Sequence, residues 1–351
     1  MVDMLYLTTL TLSDMFNMNF KVASFFSGAG GLDRGFENAG FDVVWANEFD
    51  KKVTPTLKHN FPETIVDDRS IVDIQPEDIP EVDGFIGGPP CQSWSLGGAL
   101  RGLGDKRGQV FLTYINLIKA KKPKFFLIEN VAGMLSKTHE ESFNFLITEL
   151  QALNYNFTFK LLNASDYGVP QDRKRVIFVG YNKSMGKDFV FPEPASKKIT
   201  LKDAIWNLKS NVKPALKGNK TNGDKCKIAN HEYYLDGYSS IYMSRNRVRS
   251  WSEQSFTIQA GARQAPQHPQ APKMVKVDND TYEFPKASEG LYRRLSVREA
   301  ARIQTFPDEF KFIYNNVADG YKMVGNAVPV KFAECIAKVI FEDLKTNSDT
   351  P

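Results

Sequence analysis

Short apolar runs alternate with helical patterns over the first half of the chain, and this alternation limits the possible fold more than any other feature. Seven runs have the length and composition of strands, and several are continuously apolar, as strands buried on both faces are. They lie at 22–26, 42–46, 64–66, 84–86, 125–128, 158–162 and 176–179. Helical patterns at 32–38, 110–120 and 141–153 separate some of them. The order predicts an α/β fold with a mostly parallel, doubly wound sheet.

The second half of the chain is composed differently. A proline-bearing junction at 191–194 precedes a stretch to about 287 that is rich in Lys, Asn, Gly, Gln and Pro and has few clear periods. Helical patterns return near the end, where Ser296 and Glu299 have the spacing of a capping box. We therefore predict a poorly ordered extension at 1–20, a sheet domain at 21–185, a smaller irregular domain at 186–305, and a return to the sheet domain with a closing helix at 306–345.

The composition is that of an ordinary globular protein and excludes several classes. Of the 351 residues, 42% are hydrophobic and 25% are charged, which argues against disorder. Apolar runs are too short to span a membrane, and the first residues lack the pattern of a secretory signal. Cys91, Cys226 and Cys335 are too few and too scattered for a disulfide framework or a zinc site. We expect a cytoplasmic protein that binds no metal.

The first predicted strand ends in a glycine-rich turn. The sequence Phe26-Ser-Gly28-Ala-Gly30-Gly leads into the first helix, and such glycines let a backbone turn tightly and approach a nucleotide-like ligand. Glu48 ends the second strand, where a carboxylate can accept hydrogen bonds from both ribose hydroxyls. Sites for NAD and for S-adenosylmethionine share this geometry, and a purely structural turn is the third interpretation.

The third predicted strand ends in two carboxylates. Either Asp67 or Asp68 could accept a hydrogen bond from an adenine amino group. A helix-capping role is the alternative for both.

Two further strand ends carry groups capable of chemistry. Cys91 follows two prolines after the fourth strand, and these stiffen the turn so that it presents the thiol in one orientation, although a lone cysteine is more often a small buried hydrophobe. Glu129 leaves the fifth strand at the same edge, where it could donate a proton or merely cap. Arg173 and Arg175 precede the last strand and could orient a carboxylate or phosphate, or form a solvated charge run.

The net charge of +4 is too small to indicate a nucleic-acid partner, so the distribution of basic residues must carry that argument. Residues 93–108 combine glycines with three basic side chains, which predicts a flexible loop that closes over DNA, with a passive surface loop as the alternative. Arg245, Arg247 and Arg263 lie in the irregular region. Arginines there could read guanines, or contact only phosphates.

Taken in order, these motifs resemble those of the C5-cytosine DNA methyltransferases. The glycine turn, Glu48, the Pro-Pro-Cys91-Gln turn, Glu129-Asn-Val and Gln-Asp-Arg173-Lys-Arg175 follow the family's sequence of motifs. Two late segments are also similar: residues 292–299 resemble a conserved helix, and Gly-Asn326-Ala-Val-Pro resembles the final motif of the cofactor pocket. The resemblance runs from about residue 21 to 344, and an ordered set of this kind is far more specific than any single motif.

The resemblance implies a Rossmann-like methyltransferase that uses S-adenosylmethionine and releases S-adenosylhomocysteine. It implies that Cys91 adds to C6 of a flipped-out cytosine in double-stranded DNA while Glu129 binds the N3 edge and supplies a proton. It further implies that Arg173 fixes the carboxylate and contacts the base. Phe26 would stack on the adenine, and Asp68 and Asn326 would complete the cofactor site.

Within that family, three segments of the irregular region resemble the HaeIII-type branch, which modifies GGCC at the inner cytosine. They are 231–233, 243–249 and 267–272. This implies a bacterial, monomeric enzyme that protects host DNA from a restriction endonuclease acting on the same site, with Arg245, Arg247 and Arg263 as base readers. An RNA cytosine methyltransferase and a catalytically silent DNA-binding regulator are the alternatives; the long arginine-bearing domain argues against the first, and the presence of Cys91, Glu129 and Arg173 against the second.

Overall fold

A seven-stranded sheet forms the centre of the computed structural model, which describes residues 19–90 and 106–348. The strands are β1 (Lys21–Phe25), β2 (Asp42–Asn47), β3 (Ile65–Asp67), β4 (Gly84–Gly87), β5 (Phe125–Val131), β6 (Tyr155–Asn163) and β7 (Lys174–Asn182). Their order is β3-β2-β1-β4-β5-β7-β6. Strands β1 to β5 pair in parallel, whereas β7 runs antiparallel to both β5 and β6. The predicted mostly parallel sheet is confirmed.

Helices cover both faces of this sheet. They are α1 (Gly31–Asn38), α2 (Thr54–Asn60), α3 (Lys106–Lys121), α4 (Glu140–Gln151), α5 (Leu201–Ile205), α6 (Val297–Ile303), α7 (Val317–Asn326) and α8 (Val330–Ser348). Helices α1 and α8 contribute Phe36 and Ile336 to the core on one face. Helices α3 and α4 contribute Ile118 and Leu146 to the core on the other. Apolar side chains on both sides explain why several strand sequences are continuously apolar.

The region between β7 and α6 contains few regular elements, as its composition predicts. Its strands are the short pairs β8 (Lys213–Pro214) with β9 (Glu232–Tyr233) and β10 (Val275–Asp278) with β11 (Thr281–Glu283). A third apolar cluster joins this region to the first half of the chain, since Ile258 and Leu295 share it with Leu57 and Phe61. The region is therefore fixed to the sheet through a common core.

Phe20 corrects the predicted boundary of the N-terminal extension. Residues 1–18 lie outside the described residues, but Phe20 is buried and its ring packs against Phe41 and Phe341. It belongs to the core because β1 begins at the next residue and α8 covers this side of the sheet. Across residues 19–90 and 106–348, no helix has both the length and the apolar character to cross a membrane.

The strand register brings four chain segments to one edge of the sheet. Phe25, the last residue of β1, pairs with Asn47 of β2 and with Gly87 of β4. Gly87 in turn pairs with Ile128 of β5. The residues that follow these positions therefore leave the sheet side by side, which is where open α/β sheets bind ligands.

Candidate active site

The glycine turn leaves β1 with three residues in the left-handed region, Phe26 (φ 54°), Gly28 (φ 56°) and Gly30 (φ 84°). The two glycines serve different purposes. A Cβ on Gly30 would come within 2.2 Å of the Phe61 ring, so this glycine is required for packing as well as for its φ. Among the described residues, a Cβ on Gly28 would meet no atom within 4 Å, so that position faces open space where a ligand can approach.

Glu48 lies against this turn. Its Oε2 accepts a hydrogen bond from the Gly28 amide at 2.9 Å, and its Oε1 accepts one from the Asp50 amide at 2.8 Å. Burial raises the pKa of Glu48, while the two amide donors oppose that change. Each carboxylate oxygen has a second lone pair, so the group can still accept hydrogen bonds from a diol. The structure thus joins the glycine turn and the carboxylate in one site.

A buried chain of hydrogen-bonded side chains lies beneath the turn, and no sequence motif indicated it. Ser27 Oγ donates to Ser24 Oγ at 2.8 Å, and Ser24 Oγ donates to Asp33 Oδ1 at 2.5 Å. Asp33 is fully buried, and burial raises its pKa to about 7. Only the position of Asp33 in the first turn of α1, three residues after Gly30, could have suggested a role in supporting this turn.

The two aspartates at the end of β3, Asp67 and Asp68, are each paired with a basic residue. Arg69 contacts both carboxylate oxygens of Asp67, and Lys51 Nζ lies 2.8 Å from Asp68 Oδ2. These cations lower the pKa of both aspartates. A paired carboxylate retains lone pairs for an adenine amino group, so the adenine-binding role of Asp68 stays a prediction.

The turn after β4 runs directly past Glu129. A Cβ on Gly88 would lie 3.2 Å from Glu129 Oε2. Asn130 Nδ2 donates to the Pro89 carbonyl at 3.1 Å and ties the turn to the end of β5. Pro90 is the last residue described before the gap, so Cys91, predicted as the nucleophile, lies outside the described residues, as does most of the predicted loop at 93–108.

Glu129 forms an ion pair with Arg175, whose Nε lies 2.7 Å from Oε1. The antiparallel register of β5 and β7 explains this contact, because Glu129 is opposite Ile177 and Val131 is opposite Arg175, which places both side chains on one face. Each side chain is 12% exposed. The pair is therefore nearly desolvated, yet open to a ligand on one side.

Comparison with known proteins accounts for this arrangement. The sequence profile of C-5 cytosine-specific DNA methylases matches residues 20–342. The chain belongs to this family. It is 56% identical to the type II methyltransferase M.MthTI of Methanothermobacter thermautotrophicus, over 93% of this chain and 99% of that protein. It is 54% identical to M.FnuDI of Fusobacterium nucleatum, over 92% and 95%.

Solved structures agree with the assignment. A DNA modification methyltransferase encoded within an Escherichia coli prophage superimposes with a TM-score of 0.71 at 25% identity, covering 93% of this chain and 99% of that one. The fold is also shared with a DNMT2 variant of Spodoptera frugiperda, at a TM-score of 0.66 and 20% identity over 92% and 100% of the two chains. This chain is thus a cytosine-5 DNA methyltransferase with the Rossmann-like fold of its family.

Arg173 does not orient the carboxylate of this methylase, contrary to the expectation from the motif. Its guanidinium is buried and donates to the carbonyls of Ile258, Gly325 and Ala327 at 2.9 to 3.0 Å. Arg175 contacts the carboxylate instead. The reason is position: Arg173 precedes β7, whereas Arg175 lies within the strand and faces β5.

The contacts of Arg173 bear on the segment that contains Asn326. The two carbonyls it holds, those of Gly325 and Ala327, flank Asn326, whose side chain is exposed at the end of α7. The same segment lies against the glycine turn, because a Cβ on Gly31 would come within 2.3 Å of the Val328 carbonyl. Asn326 is therefore presented beside the predicted cofactor site, and its contact with a cofactor stays a prediction.

The three arginines predicted to read bases differ in the structure. Arg245 is exposed, and Arg263 is 73% exposed with only long contacts to Tyr234 and Asp236. Arg247 is buried, which weighs against the prediction that it reads a base. Its guanidinium donates to the carbonyls of Tyr242 and Ile241 at 2.7 and 2.8 Å, so two of its five N–H donors are committed to the backbone.

One candidate was missed in the sequence. Phe49 follows Glu48 directly and is 69% exposed, which is unusual for so large an apolar side chain. Phe26, the residue predicted to stack on adenine, is only partly buried, and its ring packs edge-on against Tyr114. An aromatic residue immediately after the strand-end carboxylate was the available signal. Within residues 19–90 and 106–348, no three acidic, histidine or cysteine side chains are grouped so that they could hold a metal ion.

Proposed function

We propose that this methylase transfers the methyl group of S-adenosylmethionine to C5 of a flipped-out cytosine in double-stranded DNA, with GGCC as its target. The observation that carries the proposal is the Glu129–Arg175 pair beside Gly88, at the same sheet edge as Gly28 and Glu48. The edge thus offers a proton-donating or hydrogen-bonding carboxyl group, a turn leading into a cysteine, and a nucleotide-like site next to both.

The cofactor side fits an adenosyl group. Glu48 has free lone pairs for the ribose hydroxyls, and the backbone at Gly28 faces open space. Phe49 offers an exposed ring for stacking on the adenine, alone or together with Phe26. S-adenosylmethionine would supply the electrophilic methyl group that the reaction requires.

The catalytic side fits an activated cytosine. In the proposed mechanism the thiolate of Cys91 adds to C6 while N3 gains a proton, which makes C5 an enamine carbon able to attack a methyl group. Glu129 would contact N3 and the exocyclic amino group and supply that proton, and Arg175 would hold the carboxyl group in place. Transfer of the methyl group leaves S-adenosylhomocysteine. Loss of the C5 proton to a base then expels the Cys91 thiolate, and return of the N3 proton to Glu129 releases neutral 5-methylcytosine.

The target proposal depends on the region 186–305. A cytosine must leave the stack before Cys91 can reach it, at a cost of a few kcal/mol that contacts elsewhere must offset. Arg245 and Arg263 are exposed in this region and free to face DNA. The segments resembling the HaeIII-type branch support GGCC, and the type II names of the relatives support a role in protecting DNA from an endonuclease.

Methyl transfer from labelled S-adenosylmethionine tests the proposal. Two duplexes that differ only in GGCC or a scrambled site are compared, using the wild-type protein and Cys91→Ala. We expect label only in GGCC and only with the wild type. Equal labelling of both duplexes would refute the target, and activity that survives in Cys91→Ala would refute the covalent mechanism.

The contact of Arg175 gives a second test. Because Arg175 and Glu129 form a pair, Arg175→Gln and Glu129→Gln should each lower kcat, and the double variant should lose little more than the worse single one. Glu63→Gln, at an exposed position, serves as the control. Fully additive losses would mean that the two residues act independently.

A further inference from the structure

One buried carboxylate, that of Glu299, connects the irregular region of the chain to the start of α6. Glu299 is completely buried, and both of its oxygens accept hydrogen bonds from Arg293 at 2.7 Å. Its Oε2 also accepts the Ser296 amide at 2.8 Å, which completes the capping box of the helix. Glu299 is therefore held in one orientation by the Arg293 guanidinium and the Ser296 amide.

His268 faces this carboxylate from a third part of the chain. Its side chain is completely buried, and its Nε2 lies 3.4 Å from Glu299 Oε1, an electrostatic contact that lacks hydrogen-bond geometry. Nδ1 accepts a hydrogen bond from the Gln270 amide, which places the ring proton on Nε2. Burial lowers the pKa of His268 to about 4, so the ring stays neutral at neutral pH and keeps this tautomer.

The turn at 267–270, which contains His268, lies between residues 245–249 and Arg293. On one side, Gln267 N donates to the Arg247 carbonyl at 3.0 Å, and Gln267 Nε2 donates to the Tyr242 hydroxyl at 2.8 Å. On the other side, His268 N donates to the Arg293 carbonyl at 2.8 Å. The position of residues 245–249 is thus connected to Glu299 through the turn at 267–270.

We propose that His268 is a positioning residue for target-sequence recognition: by joining Glu299 to the turn at 267–270, it holds residues 245–249 in register for reading DNA. The inference rests on the proposed function, because it assumes that this segment contacts the target. Because His268 is buried, it acts through Gln267 and the backbone of Arg247. Its contacts are to Glu299, Gln270, Arg293 and Trp251, none of which belongs to the catalytic or cofactor site.

Three substitutions separate the two contacts of the ring. His268→Gln retains a donor that can reach Glu299, His268→Asn retains a polar group near the Gln270 amide but not that donor, and His268→Ala removes both. We expect His268→Ala and His268→Asn to raise KM for DNA. We also expect them to lower discrimination, measured as kcat/KM on the cognate site divided by kcat/KM on a site with one changed guanine, by about tenfold. The reason is that a displaced arginine loses its guanine contact. His268→Gln should restore most of the ratio.

The cognate site is first taken from bisulfite sequencing of DNA from a host that expresses the wild-type protein. A site other than GGCC would refute the proposed target while leaving the His268 test intact on the site found. An unchanged ratio in His268→Ala would overturn the inference. So would a loss of kcat in equal proportion on both sites, because that is the signature of a merely structural role. Absence of any methylation by the wild type would overturn both proposals.

Discussion

Replacing Asp33 by asparagine should change how the stability of this protein depends on pH. Asp33 is completely buried beneath the glycine turn, its Oδ1 accepts a hydrogen bond from Ser24, and burial raises its pKa from 3.8 to about 7. Asparagine retains the acceptor toward Ser24 but does not titrate. The difference in unfolding free energy between the two proteins therefore isolates the ionisation of this one group.

The sign and size follow from proton linkage. Between pH 3.8 and about 7 the folded protein binds a proton at Asp33 that the unfolded chain has lost, so the wild type loses stability as the pH rises through this window. The interval is about 3 on the pH scale, and at about 1.4 kcal/mol for each unit of pH the full effect is about 4 kcal/mol. Of this, about 3 kcal/mol falls between pH 5 and pH 8.

Denaturant unfolding of the wild type and of Asp33→Asn at several pH values measures this difference. The stability of Asp33→Asn relative to the wild type should rise by about 3 kcal/mol from pH 5 to pH 8 and then level off. Asp73→Asn, at an exposed position, controls for the loss of one carboxylate. A relative stability that is constant over this range would show that Asp33 is not held neutral by burial, and would refute the reasoning.

Four further substitutions test the site. Gly30→Ala places a Cβ 2.2 Å from the Phe61 ring and should cost roughly 1–3 kcal/mol in unfolding free energy, so an unchanged melting temperature would contradict the packing argument. Arg173→Gln, which leaves buried carbonyls without their donor, should lower the melting temperature more than Arg175→Gln does, whereas Arg175→Gln should lower kcat at unchanged KM for the cofactor. Arg263→Ala should weaken discrimination between cognate and altered DNA in a filter-binding assay without lowering the melting temperature, since this side chain is 73% exposed.

The sheet could be predicted because each strand is recognisable from its own apolar composition. Continuously apolar runs such as 125–128 end at Gly, Pro or a charged residue, and the structure places strands at all seven predicted positions. The direction of the last strand was not predictable in the same way. Alternation of strands and helices suggests parallel pairing, whereas β7 is antiparallel to β5 and follows the edge strand β6 with only a short 3-10 turn and no α-helix between them.

The antiparallel direction of β7 relative to β5 also determines which arginine contacts Glu129. Both Arg173 and Arg175 precede or begin a strand, and their alternation alone places them on the same side. Only the antiparallel register, in which Val131 is opposite Arg175, brings Arg175 to the carboxylate and leaves Arg173 beyond the end of the ladder. The sequence therefore predicted that the site residues lie at one edge of the sheet, but it did not predict which side chains pair there.

Several arginines near and within the irregular region are buried for a common physical reason. A segment with little helix or sheet leaves many carbonyls without backbone partners, and buried carbonyls must find donors elsewhere. Arginine offers five donors in a fixed plane, and Arg247, Arg294 and Arg298 each donate to two or more backbone carbonyls. An arginine in such a region can therefore serve either as a donor to backbone carbonyls that lack a partner or as a contact for DNA. Burial distinguishes the two uses, and by that criterion Arg245 and Arg263 remain candidates for reading the target, whereas Arg247 holds the backbone at Ile241 and Tyr242.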